Sequence, residues 1–328
     1  MKTKTFVITD THFGVKQNSA SWLNAQIGFF ENEFIPAVKL ALSNGDNVNI
    51  VHCGDVFDSR SSINPFVAQK VREIFSKMSQ LCNVYIVAGN HDFYSPNSDE
   101  YSALDIVFGD MKNVTKITRD IYFTKDPNCV ISLYVPWYKF DYDSLSDAIT
   151  KCHPQRIYCH TDLANIDPAI IPLLKDIDII SGHIHTLWKK NNLINLGSTF
   201  ALTFADCNSP RGYYVFDKNS YTFYPGENII KFWRFNDTEI LCLNAEPLKN
   251  DYVELYINKL NLLNPEYSTK ISELSATIHN LTVIPTDEKT VNESIEFKNY
   301  DIEQLCRDNI PERLNEKFEM IVKNEKNQ

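Results

Sequence analysis

The sequence lacks three features that would place the chain in other protein classes. No apolar run approaches the ~20 residues of a membrane-spanning helix, and the first apolar run begins directly after Lys4, which leaves no room for a signal peptide. The eight cysteines are scattered, with no CxxC pair. We therefore expect a cytoplasmic protein without a membrane span, whose cysteines are core thiols rather than disulfides or a zinc site.

Basic residues are also scarce. The chain has 32 Lys and Arg against 42 Asp and Glu, a formal net charge of −10. Because contacts from Lys and Arg to phosphate supply most of the affinity for nucleic acid, such a chain is a poor binder of DNA by itself. A DNA substrate would require bound metals that reverse the local field or a partner that supplies a basic surface.

Five short apolar runs each end in Asp, Asn or His. They lead into Asp10-Thr11-His12, Gly54-Asp55, Gly89-Asn90-His91-Asp92, His160 and Gly182-His183-Ile184-His185. One such pair alone is typical of a turn, but runs of this kind favour buried strands, and neighbouring strands would bring all these side chains to one rim of the sheet. Oxygen and imidazole ligands without a thiolate favour manganese, iron, zinc or magnesium.

The rest of the pattern predicts an α/β protein of 328 residues, long enough for one large and one smaller domain. The predicted elements are a helix over 19–43 that is kinked or divided at Pro36, helices over 64–81, 99–108 and 143–151, and β-structure over 112–136 and 193–224. A small β-α-β unit follows, then an acidic linker and a tail with helical spacing. We therefore predict domains at 1–235, 236–286 and 287–328.

Taken in order, D-x-H, GD-x-x-D, GNHD, a lone His and GH-x-H resemble the calcineurin-like metallophosphoesterases. Further stretches, Asp10–Gly14, Gly54–Asp58, Gly197–Thr199 and Pro210–Gly212, are similar to the SbcD nuclease family, and the size, the 196–217 stretch and the short tail resemble its T-even phage branch. The resemblance is tight over 5–217 and loose beyond. It implies a two-sheet metallophosphoesterase sandwich flanked by helices, with a small α/β capping unit and a C-terminal helical tail.

The resemblance also implies a site with two divalent metal ions, manganese first and magnesium as the alternative. The first ion would be held by Asp10, His12, Asp55 and His185, and the second by Asp55, Asn90, His160 and His183. Asp55 would bridge them, because a carboxylate has two oxygens to share. His91 would protonate the leaving oxygen or steady the transition state, with Asp92 and Asp58 orienting it. Arg60 and Arg211 are candidate DNA phosphate contacts, whereas His52, Cys53 and Cys159 are expected to be structural.

The implied function is that of a manganese-dependent DNA nuclease subunit in recombination and repair, an exonuclease on double strands and an endonuclease on single strands or hairpins. It would form a homodimer through helices 64–81 and 99–108, within a heterotetramer with an SbcC-type SMC-like ATPase. Tail residues Leu305, Leu314, Phe318 and Ile321 would dock on that ATPase or pack on their own domain. A phosphoesterase acting on phosphoproteins or small phosphoesters, and a metal-free scaffold of the same fold, are the alternatives.

Overall fold

A computed structural model describes residues 2–95, 98–207 and 209–287. The strands are β1 Thr3–Ile8, β2 Asn47–His52, β3 Asn83–Val87, β4 Phe93–Ser95, β5 Ser98–Ser102, β6 Val114–Ile117, β7 Tyr122–Lys125, β8 Ile131–Val135, β9 Arg156–His160, β10 Asp178–Gly182, β11 Trp188–Lys190, β12 Leu193–Asn195, β13 Gly212–Phe216, β14 Tyr221–Pro225, β15 Phe232–Asn236, β16 Tyr252–Asn258 and β17 Asn280–Thr286. The helices are α1 Val15–Asn18, α2 Ala20–Phe29, α3 Ile35–Ser43, α4 Pro65–Ser79, α5 Ala103–Phe108, α6 Tyr142–Cys152, α7 Asp237–Ile240 and α8 Pro265–Thr277.

Two six-stranded sheets form the centre of the molecule. Their strand orders are β14-β13-β1-β2-β3-β6 and β11-β12-β10-β9-β8-β7. The four inner strands that precede the site residues, β1 with β2 and β9 with β10, run parallel within their pairs. Val7 and Val51 of the first sheet and Tyr158 and Ile180 of the second lie in one buried cluster between the sheets. The predicted two-sheet α/β sandwich is therefore confirmed.

Helices cover the outer faces of both sheets. The first sheet packs on the segment from α2 to α3 and on α4 and α5, and the second packs on α6 and the loops around Leu163 and Leu174. Between α2 and α3 the chain makes a π-helical turn at Phe30–Phe34, just before Pro36. Proline removes a helical N–H and crowds the preceding turn, so the predicted kink or division at Pro36 corresponds to this π-helical turn, through which the helix continues.

Two sequence predictions need correction or adjustment. The predicted helix 99–108 begins only at Ala103; residues 98–102 form β5 and pair with β4 in a hairpin. Ser102 is the N-cap, because its hydroxyl accepts a hydrogen bond from the backbone N–H of Leu104. Farther on, β15 spans the predicted boundary at 235/236 and pairs with β16, which pairs with β17, so this three-stranded sheet starts at Phe232.

The small sheet β15-β16-β17 packs on α8 through its own buried cluster, which includes Val253, Leu255, Ile257 and Leu274. The predicted docking residues Leu305, Leu314, Phe318 and Ile321 lie outside the described residues. Among the described residues, no helix combines the length and apolar character that crossing a membrane requires. Cys53 and Cys159 are buried free thiols, and burial raises the pKa of Cys159 to about 12.

Candidate metal centre

The carboxyl ends of four parallel strands meet where the two sheets come together. Ile8 at the end of β1 pairs with His52 at the end of β2, and Gly182 at the end of β10 pairs with His160 at the end of β9. The loops after β1 and β2 are joined by backbone bonds from Asp10 N–H to the carbonyl of Gly54 and from His12 N–H to that of Asp55. The side chains that follow these strand ends therefore lie together at one rim, as the sequence predicted.

Four of the seven predicted ligand residues have a left-handed backbone. Their φ values are 48° for Asp10, 44° for His12, 54° for Asp55 and 80° for His183. This region is unfavourable for residues with a Cβ, and such strain is held only where the surroundings fix it, often at functional sites. The loops are therefore built to aim side chains and not to maximise local backbone stability.

Glycines beside the ligands leave room for them. A Cβ on Gly182 would overlap the Thr9 hydroxyl and the Asp10 carboxylate, and a Cβ on Gly54 would overlap the His160 ring. Gly54 also has a φ of +96°, which favours glycine independently. The glycines of the GD and GH motifs thus serve the close approach of neighbouring side chains.

A first cluster contains Asp10, His12 and His185, whose donor atoms all lie within 4.8 Å of one another. His12 Nε2 is 3.8 Å from Asp10 Oδ1 and 3.7 Å from Asp55 Oδ2. His185 Nε2 is 3.6 Å from Asp10 Oδ1. Asp55 therefore borders this cluster, as the predicted first ligand set requires.

A second cluster contains Asp55, His160 and His183. His160 Nε2 is 3.3 Å from Asp55 Oδ2, and Asn90 Oδ1 is 3.2 Å from His160 Nε2 and 3.1 Å from His183 Nδ1. The second nitrogen of His160, Nδ1, lies 2.7 Å from the backbone carbonyl of Cys53. A carbonyl only accepts, so Nδ1 carries a proton, and in the neutral ring Nε2 keeps the lone pair that a ligand bond requires.

The electrostatics of the clusters follow from burial and opposed charges. Burial would raise the pKa of Asp55, but the nearby His160, His12 and His91 rings outweigh it and hold that pKa well below its usual range. Burial would likewise lower the pKa of His160, but Asp55 and Asp10 raise it to about 9. An anionic Asp55 between imidazoles is the arrangement expected of a carboxylate that serves two clusters.

The donor set fits divalent cations. Both ring nitrogens of His12 are buried, and neither has a hydrogen-bond partner among the residues described. The two nearest carboxylate oxygens, on Asp10 and Asp55, stand too far from Nε2 for hydrogen bonds but close enough to share a cation with it. Buried polar atoms are normally satisfied, so an ion between these atoms accounts for their arrangement.

His91 borders both the ligands and the solvent. Its ring lies edge-on to that of His12 with centroids 5.1 Å apart, and it also groups with His12 and Asp55 at ligand distances. Its backbone N–H donates to Asp55 Oδ1 at 2.8 Å. Its Nδ1 lies 2.7 Å from the backbone carbonyl of Asp58, which orients the ring and leaves Nε2 free.

The predicted roles of Asp58 and Asp92 in orienting His91 need correction. Asp58 orients the ring through its carbonyl, whereas its carboxylate lies 3.6 Å from His12 Nδ1. The buried Asp92 carboxylate accepts backbone N–H bonds from Val56, Phe57 and Gly89. Asp92 therefore joins the loops after β2 and β3 and supports the site indirectly.

The two candidate DNA contacts differ. Arg60 lies half-buried in the loop after Asp58, so its contact with DNA stays a prediction. Arg211 is 4% exposed, and its guanidinium donates to Asp206 Oδ1, the Ser198 hydroxyl and the His185 carbonyl. The prediction that Arg211 contacts DNA is wrong, because these buried partners occupy its head group.

Sequence reasoning missed several residues at this rim. The Trp137 ring lies 4.7 Å from the His183 ring and 6.0 Å from the His160 ring. Thr9 donates from its hydroxyl to Asp10 Oδ2 at 2.6 Å, and Gln26 donates to the Thr11 carbonyl. Trp137 follows the end of β8, so the rule that strand ends carry site residues would have found it; the others give no local signal.

With this geometry established, comparisons place the chain in a family. The family model for calcineurin-like phosphoesterases matches residues 3–187, more than half of the sequence, and the chain belongs to this family. One relative is exonuclease subunit 1 of Enterobacteria phage T4, which is 23% identical over 323 residues, an alignment that covers 90% of this chain and 88% of that protein.

Solved structures match less extensively. A putative 5′-nucleotidase from Staphylococcus aureus aligns with a TM-score of 0.38 and 12% identity over 66% of this chain and 50% of that chain. A protein of unknown function from Aquifex aeolicus aligns with a TM-score of 0.23 and 17% identity, covering 58% of this chain and 82% of that chain.

Proposed function

We propose that this chain is the nuclease subunit of a DNA recombination and repair complex and hydrolyses phosphodiester bonds with two divalent cations. The family supports phosphoester hydrolysis. The observation that carries the choice of DNA is the alignment with a phage exonuclease subunit over 90% of the chain. An alignment of that extent includes residues beyond 187, so the similarity is not confined to the part that phosphoesterases of many kinds share.

Different residues of the site would serve different steps of phosphodiester hydrolysis. Divalent cations supply, when bound, an activated nucleophile near neutral pH and neutralisation of charge on the phosphoryl oxygens. One cation would be held by Asp10, His12, Asp55 and His185, and the other cation by Asp55, Asn90, His160 and His183. His91, whose Nδ1 is held by the Asp58 carbonyl, presents Nε2 to the reacting group and in its protonated form would donate that proton to the leaving oxygen.

Manganese is the cation we propose. The set combines carboxylate, amide and four imidazole donors, and magnesium prefers oxygen ligands in a nearly ideal octahedron. Manganese accepts the oxygen donors and tolerates imidazole, whereas the absence of thiolate disfavours the softer metals. Magnesium is the alternative that the assay below compares.

The substrate and the metal are tested together. We would incubate the purified chain with Mn²⁺, Mg²⁺ or EDTA and compare linear duplex DNA, a single-stranded hairpin, a phosphoprotein and nitrophenyl phosphate. We expect cleavage of DNA with Mn²⁺, none with EDTA, and none with Asp55→Asn, because a neutral amide bridges two cations poorly. Asp217→Asn, in a surface turn far along the chain, is the control. Turnover of phosphoprotein or nitrophenyl phosphate with DNA left intact would contradict the proposal.

The acidic balance of the chain leads to a second part of the proposal, an SMC-like ATPase partner that supplies basic surface for DNA. Residues Leu305, Leu314, Phe318 and Ile321 would dock on it, as amphipathic helices do. We expect a chain that lacks 288–328, or carries Leu314→Glu with Phe318→Glu, to keep basal nuclease activity and lose ATP-dependent stimulation. Continued co-purification of the truncated chain with the ATPase would contradict this docking.

A further inference from the structure

The loop that carries His185 has no regular secondary structure, yet three consecutive carbonyl groups in it are held. The Asn195 side-chain amide donates to the carbonyls of Ile184 and Thr186, at 2.6 and 2.7 Å. The carbonyl between them, that of His185, accepts from the Arg211 guanidinium and from the backbone N–H of Ser198. Asn195 is fully buried. The position of the His185 ring is therefore set by residues that follow it by ten or more positions.

Arg211 is itself fixed in place. Its guanidinium donates to the Ser198 hydroxyl at 3.0 Å and pairs with Asp206 Oδ1 at 2.9 Å. The second Asp206 oxygen accepts the backbone N–H groups of Leu202 and Thr203. A buried arginine without its carboxylate would be strongly unfavourable, and here both oxygens of that carboxylate are occupied. The pair is thus a rigid support and not a mobile surface contact.

The same segment also holds Asp10. Backbone N–H of Thr199 donates to the Thr9 carbonyl, and backbone N–H of Thr9 donates to the Thr199 hydroxyl, both at 3.0 Å. Thr9 in turn donates its own hydroxyl to Asp10 Oδ2. Asp10 and His185 are both members of the first cluster.

The side chains of the second cluster are held by other groups, although the His183 backbone N–H donates to the Asp10 carboxylate. His160 is held by the Cys53 carbonyl, and Asn90 contacts the rings of His160 and His183. Within the described ranges, the hydrogen bonds of these three side chains do not involve 195–211. The supporting segment also lies after residue 187, where the match to the family model ends.

We propose that Asn195, Thr199 and Arg211 are positioning residues that form a brace for the first metal site more than for the second. The brace fixes His185 and Asp10 before a cation binds. The entropic cost of ordering these side chains therefore does not reduce the free energy of cation binding. Supporting partners of metal ligands typically contribute 10–100-fold to metal affinity. The inference rests on the proposed function in one respect, that cations bind at both clusters.

The test is a Mn²⁺ titration of the full chain by calorimetry and by electron paramagnetic resonance. We expect Arg211→Gln to weaken one of two Mn²⁺ sites by about 10–100-fold and to affect the other much less. A cavity of about 290 Å³ adjoins Arg211, so water can hydrate the groups that the substitution exposes. Raising Mn²⁺ should then restore turnover, which would not occur if the substitution had merely damaged the fold.

Arg156→Gln is the matched control. Arg156 is another buried arginine, 5% exposed, and it donates to the Asp217 carbonyl at 3.0 Å, at the opposite end of β9 from His160. We expect both Mn²⁺ affinities to be kept. If Arg211→Gln does not fold by circular dichroism, Thr199→Val carries the test with the same expected result, because it removes the acceptor for Thr9 N–H with little change in volume.

A double-mutant cycle assigns the weakened site. In a chain that already carries His185→Ala, Arg211→Gln should cause no further loss of Mn²⁺ affinity. In a chain that carries His160→Ala, it should cause the same loss of affinity as it does in the wild type. The proposed brace would be contradicted if Arg211→Gln weakened both Mn²⁺ sites equally or altered neither. It would also be contradicted if Arg156→Gln had the same effect. A wild-type chain that binds no Mn²⁺ would contradict the proposed function itself, so the two failures are distinguishable.

Discussion

His91, like His160, has Nδ1 held by a backbone carbonyl, but the His91 side chain is partly exposed to solvent whereas His160 is buried. The Asp58 carbonyl fixes Nδ1, and Nε2 is the only ring atom left for a cation or for a substrate. Each of the two proposed ligand sets has four side chains without it, although His91 also lies at ligand distance from His12 and Asp55. This arrangement supports the proposal that His91 transfers a proton to the leaving group.

We predict that His91→Ser keeps both Mn²⁺ ions and lowers DNA turnover by about 10²–10⁴-fold, the usual contribution of a positioned acid. Metal content by atomic emission and single-turnover cleavage measure the two effects separately. His153→Ser is the control, since His153 lies beyond the end of α6, away from the clusters. Loss of one Mn²⁺ along with activity would show that His91 is a ligand.

Protonation of His52 should change the stability of the folded chain. It is fully buried under the site, with Nε2 2.9 Å from the Thr11 hydroxyl, and burial lowers its pKa to about 3. In the unfolded chain its pKa is about 6.5. Between these values the unfolded state binds more protons, so the stabilising contribution is present above pH 6.5 and is lost as the pH falls toward 3.

We expect the metal-free wild type to lose about 2 kcal/mol of unfolding free energy between pH 6.5 and pH 5 through His52, at about 1.4 kcal/mol per pH unit. His52→Leu should lack this part of the pH dependence, although its stability at pH 7.5 will be lower by the lost bond to Thr11. Urea unfolding at several pH values measures the difference. Parallel pH profiles for the two proteins would mean that His52 binds protons equally in the folded and unfolded states, so that burial does not lower its pKa.

Which residues could be predicted depended on how local their signal is. Asp10, Asp55 and His160 follow apolar runs, so the rule for strand ends was enough to bring them to one rim. The partners of Arg211 and Asp92 could not be predicted, because each side chain reaches groups that only the folded chain brings near. Arg211 resembles a free surface arginine in sequence and is in fact enclosed by Asp206 and the His185 loop.

At the scale of elements, the strand ends carry the strongest constraint. Gly182 ends β10 with Thr9 and Asp10 against its α-carbon, where a Cβ would overlap them. We predict that Gly182→Ala displaces the Asp10 carboxylate and weakens Mn²⁺ binding at the first cluster by at least about 10-fold, the lower bound for disturbing a supporting contact.

The control for that substitution lies in helix α2. Gly28 has its nearest neighbouring atom, Asn32 Nδ2, 3.8 Å from the Cβ position, so Gly28→Ala should stabilise the helix by about 0.5–1 kcal/mol and leave Mn²⁺ affinity as it is. Calorimetry and thermal unfolding of both variants test the pair. A Gly182→Ala variant with wild-type Mn²⁺ affinity would mean that β10 can shift to make room.

Element types were predicted better than element ends. The apolar spacing of α4 and its cap at Asn64, which accepts the Phe66 N–H at 2.9 Å, were visible in sequence. The start of α5 was not, because Ser98–Ser102 has enough polar and aromatic residues to suit either a helix or a hairpin. The pairing of β5 with β4 decided it, and such pairing is a tertiary effect that local propensity does not contain.

At the scale of the whole molecule, the order of strands was beyond local sequence reasoning. β13 pairs with β1 although about 200 residues separate them, and the two-sheet arrangement was inferred only from the resemblance to a family. The sheet β15-β16-β17 likewise begins earlier than the change in sequence character indicated. Composition leads to one global prediction, that DNA binding by so acidic a chain needs help from metals or a partner.

Four large apolar residues are exposed on neighbouring elements of one region. They are Phe66 at the start of α4, Tyr94 and Tyr101 in the β4–β5 hairpin, and Ile106 in α5. Large apolar residues exposed close together mark interaction surfaces, and α5 packs on both α4 and β5. We propose that they form the homodimer interface expected for helices 64–81 and 99–108.

We expect the wild type to be a dimer at micromolar concentration in light scattering and Phe66→Glu with Ile106→Glu to be a monomer, because each buried apolar side chain contributes about 1.5–3 kcal/mol and a buried carboxylate costs more. Leu263→Glu is the matched control: Leu263 is 81% exposed, as Ile106 is 80% exposed, but it lies beside α8. The monomeric variant should retain Mn²⁺ binding, since the site residues all lie elsewhere in the chain. A monomeric wild type, or dissociation by Leu263→Glu as well, would exclude this interface.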